Sequence, residues 1–239
     1  MPMSCVINAG RRHVMIPGWG IEITSPSAAA VAIQWYLSGG IAAANCIAAY
    51  TPKGAASLAA SYDNNAAPGN GLADGTYDAA PGVAPTWGAA TGWTFNGSTQ
   101  YLDTGVVPLA NTWSMIARFS GGQSSGDRFL CGIYVDYPAG YFGIWQISGG
   151  TSWYANAGAA STTYITSGVL GFAGKTGYKN GAADGAISAG ALSTELTIFV
   201  GRAPELPYYY LGDIQAFAIY DTTLTAPQVA AVSAAMAAL

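Results

Sequence analysis

Charge is scarce in this 239-residue chain. Eight Lys and Arg stand against 12 Asp and Glu, 8% of residues with a formal net charge of −4, about a third of the ~25% usual in a soluble domain. There is no run of either sign, and only Arg11 and Arg12 are adjacent basic residues. A nucleic-acid partner needs a Lys/Arg stripe to displace counterions, so that class is excluded. Apolar runs are short as well. The longest candidates, 28–37 and 41–50, fall below the ~18 residues a membrane span takes, and Gly39 and Gly40 interrupt them. Membrane insertion is not expected. The opening MPMSCVINAGRRHVMIPGWG has no basic region followed by an apolar run and a small-residue cleavage site, so export by the usual route is not expected either. Cys5, Cys46 and Cys131 have no CxxC spacing and allow at most one disulfide; buried reduced thiols are the expectation.

Catalytic residue types are thin. The single histidine, His13, has no GxSxG-type elbow to serve. The glutamates are Glu22, Glu195 and Glu205, none with an acidic neighbour two or three residues away. Glycoside hydrolysis needs two carboxylates flanking the scissile bond, ~5–5.5 Å apart in retaining enzymes; no strand here carries such a pair. GFAGKT (171–176) lacks the glycine a phosphate loop needs at 169, where Val stands, and it leads into a turn. No catalytic, metal-ligating or cofactor set emerges, and the chain is expected not to be an enzyme.

Abundance lies elsewhere: 32 Gly, 12 Pro, 7 Trp, 15 Tyr and 7 Phe, with 51% apolar residues. Glycine punctuates too often for long helices, whereas scattered aromatic and β-branched residues suit pleated sheets. Residues 1–40 read as short extended pieces, 5–8, 13–16, 21–24 and 31–37. Residues 53–62 suggest a short Ala-rich helix, and 63–87 a long loop that is either functional or pinned by tertiary contacts. Trp93 and Phe95, the turn Asn96-Gly97 and the return at 101–104 predict a hairpin. Residues 113–119 alternate with one apolar face. Residues 129–134 and 141–147 are apolar on both faces, which predicts strands covered on both sides. Asn180-Gly181 marks another turn, and Leu211–Tyr220 is the longest strand candidate. Thr225 with Gln228 forms a capping box ahead of a helix that carries Val229, Val232 or Ser233, and Met236 on one face. Ten or more strands and one C-terminal helix predict an all-β, antiparallel two-sheet sandwich.

The ordered blocks GWTFNGSTQYLDTG (92–105), WSMIARFS (113–120), GKTGYKNG (174–181), TIFVGR (197–202) and YLGDIQAFAIYDTTLTAPQVAAV (210–232) resemble the laminin G-like branch of the concanavalin A-like jelly rolls. CIAAYTPKG, from Cys46, is similar to the opening strand of such domains, so the resemblance covers 41–239 and leaves 1–40 outside. Gln215 and Ala216 depart from the acidic pair that many relatives carry there. YLSGG and GAASLAASY look like segments of laminin G-like proteins from bacteriophages and environmental bacteria. The resemblance implies a lectin-like jelly roll. In several such domains calcium sits on the rim, for which Asp63, Asp74, Asp78 and Asp103 are the candidates here, with solvated or turn-stabilising roles as the alternative.

Two roles compete. One is a structural or adhesive component of a virion surface, such as a phage capsid decoration or fibre protein, associating with itself as a homo-oligomer and with neighbouring proteins. The other is a freestanding module that binds a surface glycan. Tyr208, Tyr209 and Tyr210, with Trp153 and Tyr154, are candidates for sugar stacking or for a protein contact; Trp145, in a doubly apolar strand, is assigned to the core. Residues 1–40, with Arg11, Arg12, Ile21 and Ile23, are read as an assembly arm whose strands add to a neighbour's sheet, or as extra strands of the same sandwich.

Overall fold

The computed structural model describes residues 34–135, 140–188, 190–192 and 195–239. The arm candidates Arg11, Arg12, Ile21 and Ile23, together with Cys5, His13 and Glu22, lie outside the described residues. Residues 35–239 cluster as one unit.

Fifteen strands and two α-helices are described, with 3-10 turns at Trp35–Leu37 and Ala43–Asn45 ahead of them. The chain runs through β1 (Cys46–Tyr50), α1 (Leu58–Ser61), β2 (Ala80–Val83), β3 (Thr86–Gly88), β4 (Gly92–Asn96), β5 (Tyr101–Asp103) and β6 (Ser114–Ser120). It continues through β7 (Arg128–Val135), β8 (Gly140–Ile147), β9 (Thr151–Asn156), β10 (Ala159–Thr163), β11 (Gly168–Ala173) and β12 (Thr176–Lys179). The last elements are β13 (Ala182–Ala186), β14 (Phe199–Val200), β15 (Leu211–Tyr220) and α2 (Ala226–Ala238). One sheet has the order β13-β12-β11-β6-β15-β4-β3, with β1 also on β15; the other has the order β10-β9-β8-β7-β14-β5-β2. Neighbouring strands are antiparallel throughout. This is the predicted two-sheet sandwich with a C-terminal helix.

The ten-residue β15 organises the first sheet. One edge pairs along its length with β6, while the other is divided between β4, beside Leu211–Ile214, and β1, beside Phe217–Tyr220. The register shifts between Ile214 and Ala216, at the point where the partner changes. Alternation then splits the side chains of this sheet. Met115, Ala117, Phe119, Leu170, Phe172, Phe217 and Ile219 face the second sheet's Leu130, Ile133, Phe142, Ile144 and Tyr154 in the main core. Ile116, Val169, Ala218 and Tyr220 turn the other way and are covered by Val229, Val232 and Met236 of α2 together with Trp35 and Tyr36. Gln228 Oε1 accepts from the Thr225 amide at 2.9 Å, so the predicted helix start holds. Arg118 Nη1 donates to the Met236 carbonyl near the helix end, where a cation also suits the macrodipole.

Three expectations change. The predicted strand at 31–37 is, over its described part, a 3-10 turn at Trp35–Leu37 packed under α2. The predicted 92–104 hairpin is a corner: β4 pairs with β3 and β15 in the first sheet, and β5 with β2 and β14 in the second. Asn96 Oδ1 accepts from the Ser98 and Thr99 amides at 3.0 Å each, so the side chain holds a wider bend than a two-residue turn. The 63–87 segment ends in β2 and enters β3, and its loop part is pinned. Asn64 Oδ1 accepts from the amides of Ala49 and Ala66, its Nδ2 donates to the carbonyls of Ile47 and Thr76, and Asn70 Nδ2 donates to the Cys46 carbonyl. Cys46 and Cys131 are buried free thiols, as predicted, and burial pushes both pKa values up.

Candidate functional site

Strands β7, β8 and β9 pair so that Phe129 lies opposite Trp145 and Trp145 opposite Trp153. Since residues of one register column share a face, the three rings form a row across the sheet. Phe129 and Trp145 stack with centroids 5.8 Å apart and planes at 19°; Trp145 and Trp153 stack at 6.0 Å and 10°. Further along the same strands Tyr134 meets Tyr141 at 5.0 Å and sets its ring edgewise to Trp145 at 6.1 Å and to Tyr208 at 6.4 Å. Tyr208 comes from the connection between β14 and β15.

These rings line a groove of about 300 Å³, with Asp127, Arg128, Ile147 and Ala159 completing it. The groove explains why β7 and β8 are apolar on both faces. Their inner residues, Ile133, Phe142 and Ile144, are core, whereas Tyr134, Tyr141 and Trp145 on the other face are only half-buried. The predicted cover on both sides is therefore not found among the described residues. An aromatic floor open to solvent produces the same sequence pattern as a second buried face.

Of the residues singled out from sequence, Trp153 and Tyr208 meet in this groove. Tyr154 does not. Successive strand residues point to opposite faces, so the neighbour of Trp153 enters the core, where its hydroxyl donates to Asp184 Oδ2 at 2.6 Å. Tyr210 is likewise fully buried, edgewise on Phe95, and its hydroxyl donates to the Ser120 carbonyl at 3.2 Å. Tyr209 lies beside the groove under Arg202, whose guanidinium carbon is 5.2 Å from the ring centroid. Trp145, assigned to the core, is the centre of the aromatic row. Phe129, Tyr134 and Tyr141 were not singled out, although alternation from Trp145 places Tyr141 on its face.

The polar groups at the groove are few. Asp127 Oδ1 accepts from the Ser148 amide at 3.0 Å. Arg128 Nη1 donates to the carbonyls of Gly97, at 3.1 Å, and Tyr209, at 3.3 Å. Arg128 Nε and Trp153 Nε1 are buried without a hydrogen-bond partner among the described residues. Two of the four proposed calcium ligands accept from backbone amides: Asp78 Oδ1 from Asn64 and Asp103 Oδ1 from Gly105. Burial, with Asp78 and Asp74 nearby, holds the Asp63 carboxyl above its ordinary pKa. Among the described residues no group of three or more His, Cys, Asp or Glu side chains is placed to hold a metal ion.

No protein-family model and no curated protein matches the chain. Solved structures do match in fold. Trypanosoma rangeli sialidase aligns at a TM-score of 0.54 and 13% identity over 82% of this chain and 33% of its own. Domain 4 of the GH43 extracellular arabinanase AbnA from Geobacillus stearothermophilus, solved with arabinotriose, aligns at 0.52 and 16% over 79% of this chain and 98% of its own. The binding domain of botulinum neurotoxin serotype D aligns at 0.53 and 11% over 80% of this chain and 51% of its own. The chain thus spans about a third of the sialidase and half of the toxin domain. At these identities the likeness establishes the two-sheet β-sandwich fold alone.

Proposed function

We propose that this chain is a non-catalytic carbohydrate-binding domain of laminin G-like type, and that the aromatic groove on β7–β9 is where the glycan lies. The observation that carries the reading is the half-buried stacked pair Trp145–Trp153, backed by the buried Phe129 of the same register row, beside Tyr208. A sugar ring has an apolar C–H face and a hydroxyl edge. A concave aromatic surface with a few polar groups at its margin complements both. Among the described residues Asp127 is the carboxylate that lines the groove, one short of the pair that the acid and base roles of glycoside hydrolysis take. The arabinanase domain was solved with arabinotriose, so short neutral oligosaccharides belong in the first panel of ligands.

The test is retention on a glycan array, followed by titration of whichever glycan is retained. Trp153→Ala and Tyr208→Ala are each expected to weaken that glycan at least tenfold while the thermal midpoint stays within a few degrees. Failure of the folded protein to retain any glycan would overturn the reading.

A second reading, a structural part of a virion or other surface assembly built from copies of this chain, is favoured by the low charge, 8% of residues. It requires self-association in sedimentation and recovery of the chain from purified particles by mass spectrometry.

A further inference from the structure

We propose that Arg202 is a carboxylate-reading site at the border of the groove, so that the glycan is an acidic one. This rests on the carbohydrate reading above and adds the charge class of the ligand.

The guanidinium carbon of Arg202 lies 5.0 Å from the ring centroid of Tyr101 and 5.2 Å from that of Tyr209. Both rings are fixed by the sheet. Tyr101, on β5, stacks on Phe199 of β14 with centroids 5.2 Å apart. It also lies so close over Gly82 of β2 that a Cβ there would fall 2.0 Å from the ring. Tyr209 forms an isolated antiparallel bridge with Arg202 itself, and its carbonyl accepts from Arg128. The adjacent Tyr208 lines the groove, as does Arg128, which donates to the Tyr209 carbonyl, so the groove lining reaches to within one residue of the ring that carries the guanidinium.

What Arg202 lacks is an acceptor. Among the described residues the ion pair is Lys179–Asp184. The Arg202 side chain makes no hydrogen bond among the described residues, and its Nε is buried without a partner. The other partly buried arginines are used structurally: Arg128 donates to backbone carbonyls and Arg118 to the end of α2. Packing against rings holds the guanidinium while leaving its in-plane donors unspent. A planar fork of such donors matches a carboxylate bidentately, and a lysine in the same place would supply only a point charge.

The probe is a glycan array with neutral, carboxylated and sulfated members, read with the wild-type chain, Arg202→Gln and Arg202→Lys. Retention confined to carboxylated glycans is expected, lost at least tenfold in Arg202→Gln and only partly restored in Arg202→Lys, with thermal midpoints confirming that all three are folded. Retention of neutral glycans, or of sulfated ones alone, would overturn the proposal and leave the carbohydrate reading standing. So would carboxylated glycans held equally well by Arg202→Gln. Retention of nothing would remove both. Should Arg202→Gln not fold, the neutral-versus-carboxylated comparison on the wild-type chain still decides.

Discussion

Trp145 and Trp153 face each other across β8 and β9 with centroids 6.0 Å apart and planes 10° from parallel, and Trp145 alone also touches Phe129, Tyr134 and Tyr141. The two tryptophans should therefore respond differently to truncation. An aromatic pair adds ~0.5–1.5 kcal/mol beyond area burial, so Trp145→Ala is expected to destabilise by about 3 kcal/mol and Trp153→Ala by about 1 kcal/mol. Both should weaken glycan binding. Denaturant unfolding of the two variants and of the double mutant gives the coupling; equal stability losses would contradict the central place of Trp145.

Gly177 on β12 has the buried Tyr154 ring against its α-carbon, where a Cβ would stand 1.8 Å from a ring carbon. Tyr154 cannot retreat without leaving Asp184. Gly177→Ala is expected to cost about 3 kcal/mol, at the upper end for overpacking. Gly185→Ala, whose nearest neighbour would be 3.5 Å away, should change stability by only a few tenths. Similar thermal midpoints for the two variants would refute the argument.

What the sequence revealed about this fold divides along a physical line. Signals confined to a few neighbouring residues were legible: the Thr225–Gln228 cap, the strand Leu211–Tyr220, and the turn at Asn180-Gly181, where both residues take positive φ, 51° and 81°. Signals that depend on which sheet receives the chain were not. Asn96-Gly97 is the same dipeptide, yet only Gly97 takes a positive φ, 73°, and the strands on either side belong to different sheets. The site was half legible for a related reason. Trp153 and Tyr208 stood out by composition, but an aromatic row is a property of register, and the pairing of Phe129 with Trp145 is invisible until β7 and β8 are aligned.

Asn64 replaces a stretch of missing secondary structure with one side chain, which is 4% exposed and bonds to four backbone groups. Asn64→Ala strands those partners, and each buried group left unpaired costs ~1–3 kcal/mol. A loss of about 3 kcal/mol is expected, with amide exchange accelerating across residues 63–79 before the rest. Uniform acceleration over the whole sandwich would show that the loop is not held locally.

Alkaline pH should unfold the sandwich through its core tyrosines. Tyr50, Tyr210 and Tyr220 are fully buried, and burial is the main cause holding each hydroxyl well above its ordinary pKa. In the unfolded chain they ionise near ~10. Below that pH both states keep the proton and stability is unaffected; above it the unfolded state loses protons that the folded state retains, so stability falls. Each tyrosine contributes ~1.4 kcal/mol per pH unit, and three give about 4 kcal/mol per unit. Denaturant midpoints are expected to be flat from pH 7 to 8, to begin falling as the Cys46 and Cys131 thiols, raised by burial in the fold, ionise near ~8.5 in the unfolded chain, and to drop steeply past 10, with tyrosinate absorbance from the buried set appearing only together with unfolding. Tyr220→Phe gives up the hydrogen bond to the Tyr36 carbonyl, 3.0 Å long, and costs ~1 kcal/mol at neutral pH. It also removes one of the titrating groups, so its stability should decline less steeply above pH 10. Full tyrosinate absorbance at pH 11 in a protein that remains folded would refute the burial argument.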